Sequence, residues 1–175
     1  EVIIACDEGS SSYRKTLLPE YKQNRKDKYE LQTPAEARAF EEFFEEFNRT
    51  MDEISSIYPV LRFPKCEADD IAAYIVTKYS ERYDAIWLMS SDKDWDLLVS
   101  PTVSRFSYIT RKEITYDNWS EHYDYSCDDH ISIKCLTGDT GDNIAGVSGI
   151  GPKKAKALID EYGTTYDIIA SLPIS

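Results

Sequence analysis

The residues best suited to chemistry in this chain are acids arranged in four groups. Glu67-Ala68-Asp69-Asp70 is the densest. Asp92 and Asp94 flank Lys93, Asp139 and Asp142 bracket Thr140-Gly141, and Asp7 follows the apolar run Val2-Ile3-Ile4-Ala5-Cys6. Each group has an ordinary local explanation. Acids at a helix start are favoured by the helix dipole, and Asp in a loop favours Asx-type turns. Jointly they ask for more. Three of the four are expected at the C-terminal end of a strand or the start of the next helix, where α/β sheets build their sites. Two like charges 4 Å apart repel by about 4 kcal/mol at an effective dielectric near 20, so such a gathering needs bound cations. Oxygen donors without a suitable His or Cys select Mg²⁺, with Mn²⁺ as a substitute. Two such ions about 4 Å apart would activate water and stabilise the leaving oxygen in phosphodiester hydrolysis.

The charge balance looks opposed to a nucleic-acid partner, because the net charge of the 175 residues is −12 and simple DNA-binding modules are basic. The bases, however, are gathered. Residues 13–28 hold Arg14, Lys15, Lys22, Arg25, Lys26 and Lys28 against Glu20 and Asp27, with Tyr13 and Tyr21 interleaved and Tyr29 next in line. Such a stretch can grip phosphates while rings stack on bases; charge alone does not separate this from a solvated basic loop. A second basic region follows Gly146-Val147-Ser148-Gly149-Ile150-Gly151. There Pro152 opens a helix with Lys153, Lys154 and Lys156 in its first turns. Gly149 and Gly151 let backbone N–H groups approach a phosphate at that helix start. The order is that of a helix-hairpin-helix.

These groups need a scaffold, and the pattern between them predicts an α/β layer fold. Residues 2–6 read as a strand, as do 60–63, Ala85–Met89, Val103–Tyr108 and Glu113–Tyr116. Thr33, Pro34 and Glu36 form a helix start with a capping box. Beyond it Phe40, Phe43, Phe44, Phe47, Met51 and Ile54 recur at three- and four-residue steps and are expected to face the core. Glu67 opens a helix to about Tyr83. A helical turn is expected over 94–99, helices over Asp117–Tyr123 and Asp129–Leu136, and two more after Pro152. His122, Cys127, His130 and Cys135 have nearly the rhythm of a zinc knuckle, but the segment lacks its glycine turns. They read as chance members of a helix. The four cysteines show no paired-bridge spacing, and no apolar run is long enough for a signal peptide or membrane span.

The strings resemble the 5′-nuclease superfamily, bacteriophage flap endonucleases in particular. They are Asp7; Leu18-Pro19-Glu20-Tyr21-Lys22-Gln23-Asn24-Arg25; Glu67-Ala68-Asp69-Asp70; Ser91-Asp92-Lys93-Asp94-Trp95-Asp96; Val103-Ser104-Arg105-Phe106-Ser107; Gly138-Asp139-Thr140-Gly141-Asp142-Asn143-Ile144; and the glycine hairpin. They run in order through nearly the whole chain. The resemblance implies a PIN-like α/β fold: a mostly parallel sheet flanked by helices, a helical arch and a C-terminal helix-hairpin-helix. It implies a catalytic domain over 1–137, with the arch at about 13–56, and a DNA-binding element over 138–175.

The family also implies roles. Asp7, Glu67, Asp69, Asp70, Asp92, Asp94, Asp139 and Asp142 fall on metal-site carboxylates. Lys22 and Arg25 fall on arch bases that reach the scissile phosphate, and Tyr21 on the arch aromatic that stacks on a base. Arg14, Lys15, Gly149, Gly151, Lys153 and Lys154 are expected to hold DNA, with K⁺ at the hairpin. The activity implied is 5′-3′ exonuclease and flap endonuclease on branched or 5′-ended DNA, and on RNA/DNA primers, by a monomer in the host cytoplasm, away from membranes. A further metal-binding Asp on an upstream strand and a C-terminal extension are also implied, and neither is in this sequence. A DNA-binding fragment without catalysis and a PIN-like ribonuclease are the competing readings; the glycine hairpin is not expected of the latter.

Overall fold

The computed structural model describes residues 1–173; Ile174 and Ser175, the end of the expected DNA-binding element, lie outside it. The chain forms two compact units. The first comprises Glu1–Ala72 with Gly141–Asn143, and the second comprises Ala73–Thr140 with the chain from Ile144 onward.

In the first unit β1 (Ile4–Cys6) pairs in parallel with β2 (Val60–Arg62). Between them the chain makes three helices: α1 (Ser12–Leu17), α2 (Gln23–Glu30) and α3 (Pro34–Ser55). Ser11 caps α1 by accepting a hydrogen bond from Arg14 N, which extends helix into a stretch that reads as loop. Thr33 and Glu36 close the capping box at the start of α3 as the sequence predicts. The aromatic face of α3 departs from expectation. Phe43 is 60% exposed, and no residue of the helix is buried. Phe40, Phe43, Phe44 and Phe47 pack against one another along the helix, and Phe40 against Tyr29. A 3.6-residue apolar period identifies a face, but does not supply the neighbour that would cover it.

α4 (Ala68–Tyr79) begins in the first unit, and the division falls within it. In the second unit β3 (Ile86–Met89) pairs in parallel with β4 (Val103–Ser107), and β4 pairs antiparallel with β5 (Lys112–Ile114). Val76 of α4, Leu88 and Val103 form the core against this sheet. Along β4 the inward positions are Val103, Arg105 and Ser107, so a period-2 strand carries a guanidinium into the interior. β3 is less enclosed than its apolar run predicts, with Trp87 and Met89 half or more exposed.

α5 (His130–Thr137), α6 (Pro152–Tyr162) and α7 (Thr165–Ala170) make a second core from Ile133, Leu136, Ala155, Ile159 and Ile168. A short antiparallel pair, β6 (Gly138–Asp139) with β7 (Ile144–Ala145), stands where the sequence reads as an acidic loop. Gly151 and Pro152 begin α6 as expected.

Two glycines with positive φ carry different constraints. At Gly138 (φ 74°, ψ −173°) a Cβ would land on Gly146 N and lie 2.6 Å from Ile144 O. At Gly149 (φ 76°) a Cβ would meet nothing within 4 Å. Gly149→Ala is therefore expected to cost only the backbone strain, about 1–2 kcal/mol. Gly138→Ala adds collision with backbone and should cost more than about 4 kcal/mol. Urea unfolding of the two variants measures the difference; equal losses would contradict the packing described.

Candidate metal and nucleic-acid site

The first unit joins five of the eight expected metal-site acids to the expected arch bases. Asp7, at the end of β1, accepts a hydrogen bond from Ala68 N at 2.6 Å and so ties the strand to the first turn of α4. Glu67 is buried just before that helix, and Asp69 and Asp70 stand in its first turn. Arg14 clamps Asp70 with two hydrogen bonds of 2.7 Å and lies 3.7 Å from Glu67. Lys22 Nζ donates to Glu67 at 2.9 Å and stands 3.7 Å from Asp142. Arg25 donates to Asp142 at 2.6 Å. Tyr21 is buried at 3% exposure, its hydroxyl bonded to Glu67 (2.9 Å) and Asp142 (3.0 Å). In this arrangement the ring faces carboxylates and cations, with Lys22 Nζ 5.0 Å from its centroid. The segment is thus anchored by charge where apolar anchors are few.

The electrostatics follow from these contacts. Burial acts to raise the Glu67 carboxyl, but bonds from Lys22 and Tyr21 outweigh it and hold the group below the usual carboxylate range. The Arg14 fork likewise lowers Asp70. Asp69 goes the other way. Burial raises it, with Arg14 no nearer than 4.0 Å. The Tyr21 phenol is pushed far above its ordinary value by burial and by its carboxylate partners.

In the second unit Asp92 accepts from Asp94 N at 2.9 Å, a turn at the end of β3 that begins the 3-10 helix Lys93–Leu98. Lys134 of α5 bonds both Asp94 and, at 3.1 Å, Asp139. Burial acts to lower the Lys134 ammonium, but the two acids hold it above its ordinary value. Nothing in the sequence pattern singles out Lys134; its partners are 40 and five residues away and meet it only through the fold.

A buried ion pair stands beside these groups in the second unit. Asp96 is fully buried and paired with Arg105, which also donates 2.9 Å from its second guanidinium nitrogen. Tyr123 adds a 2.5 Å bond to the same acid. The alternation Val103-x-Arg105-x-Ser107 was a usable signal, because it places Arg105 on the buried side of β4. Beside this network His130 is buried among Trp119, Tyr123 and Tyr125. Its Nδ1 meets the Tyr125 hydroxyl at 3.0 Å, and its Nε2 has no hydrogen-bond partner among the described residues. Cys127 donates to Val99 O, Cys135 is exposed on α5, and His122 ends a short 3-10 turn.

The hairpin bases are outward. Lys154 folds back to Gly149 O at 3.0 Å, Lys156 pairs with Asp160, and Lys153 is exposed. Lys15 is exposed on α1.

Among the described residues no three His, Cys, Asp or Glu side chains stand ready-made around a metal position. The donor set still fits a hard divalent ion in kind. In the first unit five acids (Asp7, Glu67, Asp69, Asp70, Asp142) are matched by three bases (Arg14, Lys22, Arg25). In the second, three acids (Asp92, Asp94, Asp139) are matched by Lys134. By formal charge of these named residues the acids outnumber the bases in each group, and every donor is a carboxylate oxygen. Acids at strand ends and helix starts, with a glycine hairpin and a basic helix in the same chain, are the parts that metal-dependent phosphodiester hydrolysis calls for.

The comparisons narrow this reading. Residues 1–124 match the family model of the 5′-3′ exonuclease N-terminal resolvase-like domain, and residues 126–174 that of the 5′-3′ exonuclease C-terminal SAM fold. The chain belongs to the 5′-3′ exonuclease family. It is 42% identical over 173 residues to the flap endonuclease of Escherichia phage T5, covering 98% of this chain and 60% of that protein. A phage T5 protein crystallised with metal ions superposes with a TM-score of 0.96 at 42% identity, over 99% of this chain and 65% of that one. The T5 flap endonuclease in a pseudo-enzyme-product complex with DNA and metal ions gives 0.94 at 41% identity, over 99% and 64%. The chain thus spans about three fifths of the curated relative. No helix among the described residues is long and apolar enough to cross a membrane.

Two stability measurements check the second unit. Arg105→Met leaves the buried Asp96 without its counter-charge and is expected to cost about 3–5 kcal/mol; Asp96→Asn/Arg105→Met should cost less than the single change, as read by denaturant unfolding. The second measurement concerns His130, whose burial lowers its ring below the ordinary 6.5. The unfolded chain then takes up the proton first as pH falls. Stability from this group is full above about pH 6.5 and declines below it, down to the folded value. His130→Gln should flatten the pH dependence of Tm between about 7.5 and 5.5. An unchanged slope would show that the ring is not held neutral.

Proposed function

We propose that this chain carries the chemistry of a divalent-metal-dependent 5′-nuclease that hydrolyses phosphodiester bonds at 5′ ends and flaps of branched DNA. The observation that carries the reading is the first unit's acid group. It gathers five carboxylates in direct contact with the very bases that would grip a phosphate. The 42% identity to a flap endonuclease supports the same activity, and the T5 structures with metal ions and DNA support the cofactor and partner classes. In this reading residues 1–137 perform hydrolysis, and 138–175 hold duplex by its backbone.

The acids Asp7, Glu67, Asp69, Asp70, Asp92, Asp94, Asp139 and Asp142 would hold Mg²⁺, with Mn²⁺ able to replace it, for a two-metal hydrolysis. Such cations, when bound, lower the pKa of a bound water and neutralise developing charge on the leaving oxygen. The chain's own residues supply the rest. Released from Glu67 and Asp142, Lys22 and Arg25 would turn their charge to the scissile phosphate. Arg14 and Lys15 extend that positive path, and Tyr21 leaves its acid partners to stack on a base. At the hairpin, N–H groups near Gly149 and Gly151, a K⁺ ion, Lys153 and Lys154 hold the duplex backbone. RNA/DNA primers are further substrates, and the working form is a monomer in the host cytoplasm.

With Mg²⁺, the full-length protein is expected to cut a 5′-flapped DNA near the single-strand/duplex junction, leaving a 5′-phosphate, and to cut single-stranded RNA far more slowly. Lys22→Ala should lower the cleavage rate about 10²–10³-fold, the scale of losing one transition-state charge partner. Cleavage of RNA in preference to flaps would favour a PIN-like ribonuclease, and an intact rate in Lys22→Ala would remove the arch assignment.

A further inference from the structure

The second unit contains a cavity of about 270 Å³ lined by Ser91, Lys93, Arg105, Ser107, Thr110, Lys112, Ile114, His122 and Tyr123. Three of these are cations, four carry hydroxyls, one is a histidine and none is an acid. In a chain with 32 acids against 20 bases, an average sample of nine residues would hold more acids than bases. The selection is therefore against the composition of the molecule.

The sheet explains how the lining forms. Arg105 pairs with Ile114 and Ser107 with Lys112 across the β4–β5 ladder. Residues two apart on one strand share a face, so Arg105, Ser107, Lys112 and Ile114 make one floor. Arg105 and Ser107 are each only 4% exposed. Arg105 is held in place by Asp96 and by Ser90 O, at 3.0 Å. Ser107 Oγ accepts from Thr110 N, which leaves its own O–H to donate. Lys93, Lys112 and His122 form no ion pair among the described residues, unlike Arg14, Lys22 and Lys134. Lys93 and Lys112 thus line the space with positive charge that is not engaged in an ion pair among the described residues.

We propose that this cavity is a phosphate-binding site that takes a phosphate group of a nucleic-acid strand. Lysines act as point charges for phosphate oxygens and hydroxyls supply the remaining donors. The volume lies just under the range of drug-sized pockets, which suits a phosphate with its sugar and leaves no room for a stacked base pair. The site stands independently of the nuclease reading, since it needs neither a metal nor cleavage.

The test uses the full-length protein in EDTA, where metal-dependent cleavage is silent, and compares it with Lys93→Met/Lys112→Met. Three probes are titrated by calorimetry: inorganic phosphate, a 5′-deoxymononucleotide, and a short oligonucleotide with 5′- and 3′-hydroxyl ends. The double variant is expected to bind at least one probe tenfold or more weakly, and the oligonucleotide's log K against log salt slope should fall by about 0.7 per lost phosphate contact. Loss confined to phosphate and mononucleotide assigns a terminal phosphate; loss with the oligonucleotide assigns the backbone. Both lysines are exposed, so folding should persist; His122→Gln gives a second reading from another wall. Unchanged affinities and slopes for all three probes in both variants would overturn the proposal. Should the flap assay fail while these losses appear, the nuclease reading falls and the phosphate site stands.

Discussion

Uncompensated negative charge on carboxylates is the constraint from which most of this molecule follows. The chain concentrates acids at strand ends and helix starts, where mutual repulsion would open the fold. It meets that repulsion from within, by seating Arg14, Lys22 and Arg25 on one set and Lys134 on another. Among the named residues of each group carboxylates outnumber cations, a donor set of the kind a hard divalent ion takes.

This economy also gives the basic segment two roles. Lys22 and Arg25 are counter-ions to Glu67 and Asp142 here, and they are the charges proposed to meet DNA. One set of positive charges cannot serve both partners at once. In the proposed function, metal binding to the acids and release of the segment to nucleic acid would therefore be coupled, each removing the other's competitor. Tyr21 takes part in the same exchange, because its hydroxyl is bonded to the acids that a metal would claim.

Much of this could be read before any coordinates. The capping box at Thr33 and Glu36, the strand into Asp7, the run Ile86–Met89 and the Gly151-Pro152 helix start are local, and local chemistry decides them. The eight carboxylates and the bases Lys22 and Arg25 are legible as residue types in their strings. Their partners are not. Arg14 finds Asp70 across 56 residues, and Lys22 finds Glu67 across 45; such choices belong to tertiary structure, not to spacing. The aromatic stripe of α3 failed for a related reason. Period 3.6 marks an apolar side, whereas burial depends on what lies opposite. Arg105 is the intermediate case, since strand alternation pointed it inward but only the fold revealed Asp96 as its partner.

If the acid groups take divalent cations, the Tm of metal-free protein titrated with Mg²⁺ or Mn²⁺, against Na⁺ at equal ionic strength, rises saturably following RT ln(1 + [L]/Kd), and Asp70→Asn or Asp94→Asn reduces the rise. A Tm that responds to Mg²⁺ and Mn²⁺ no more than to Na⁺ would contradict cation binding by these groups.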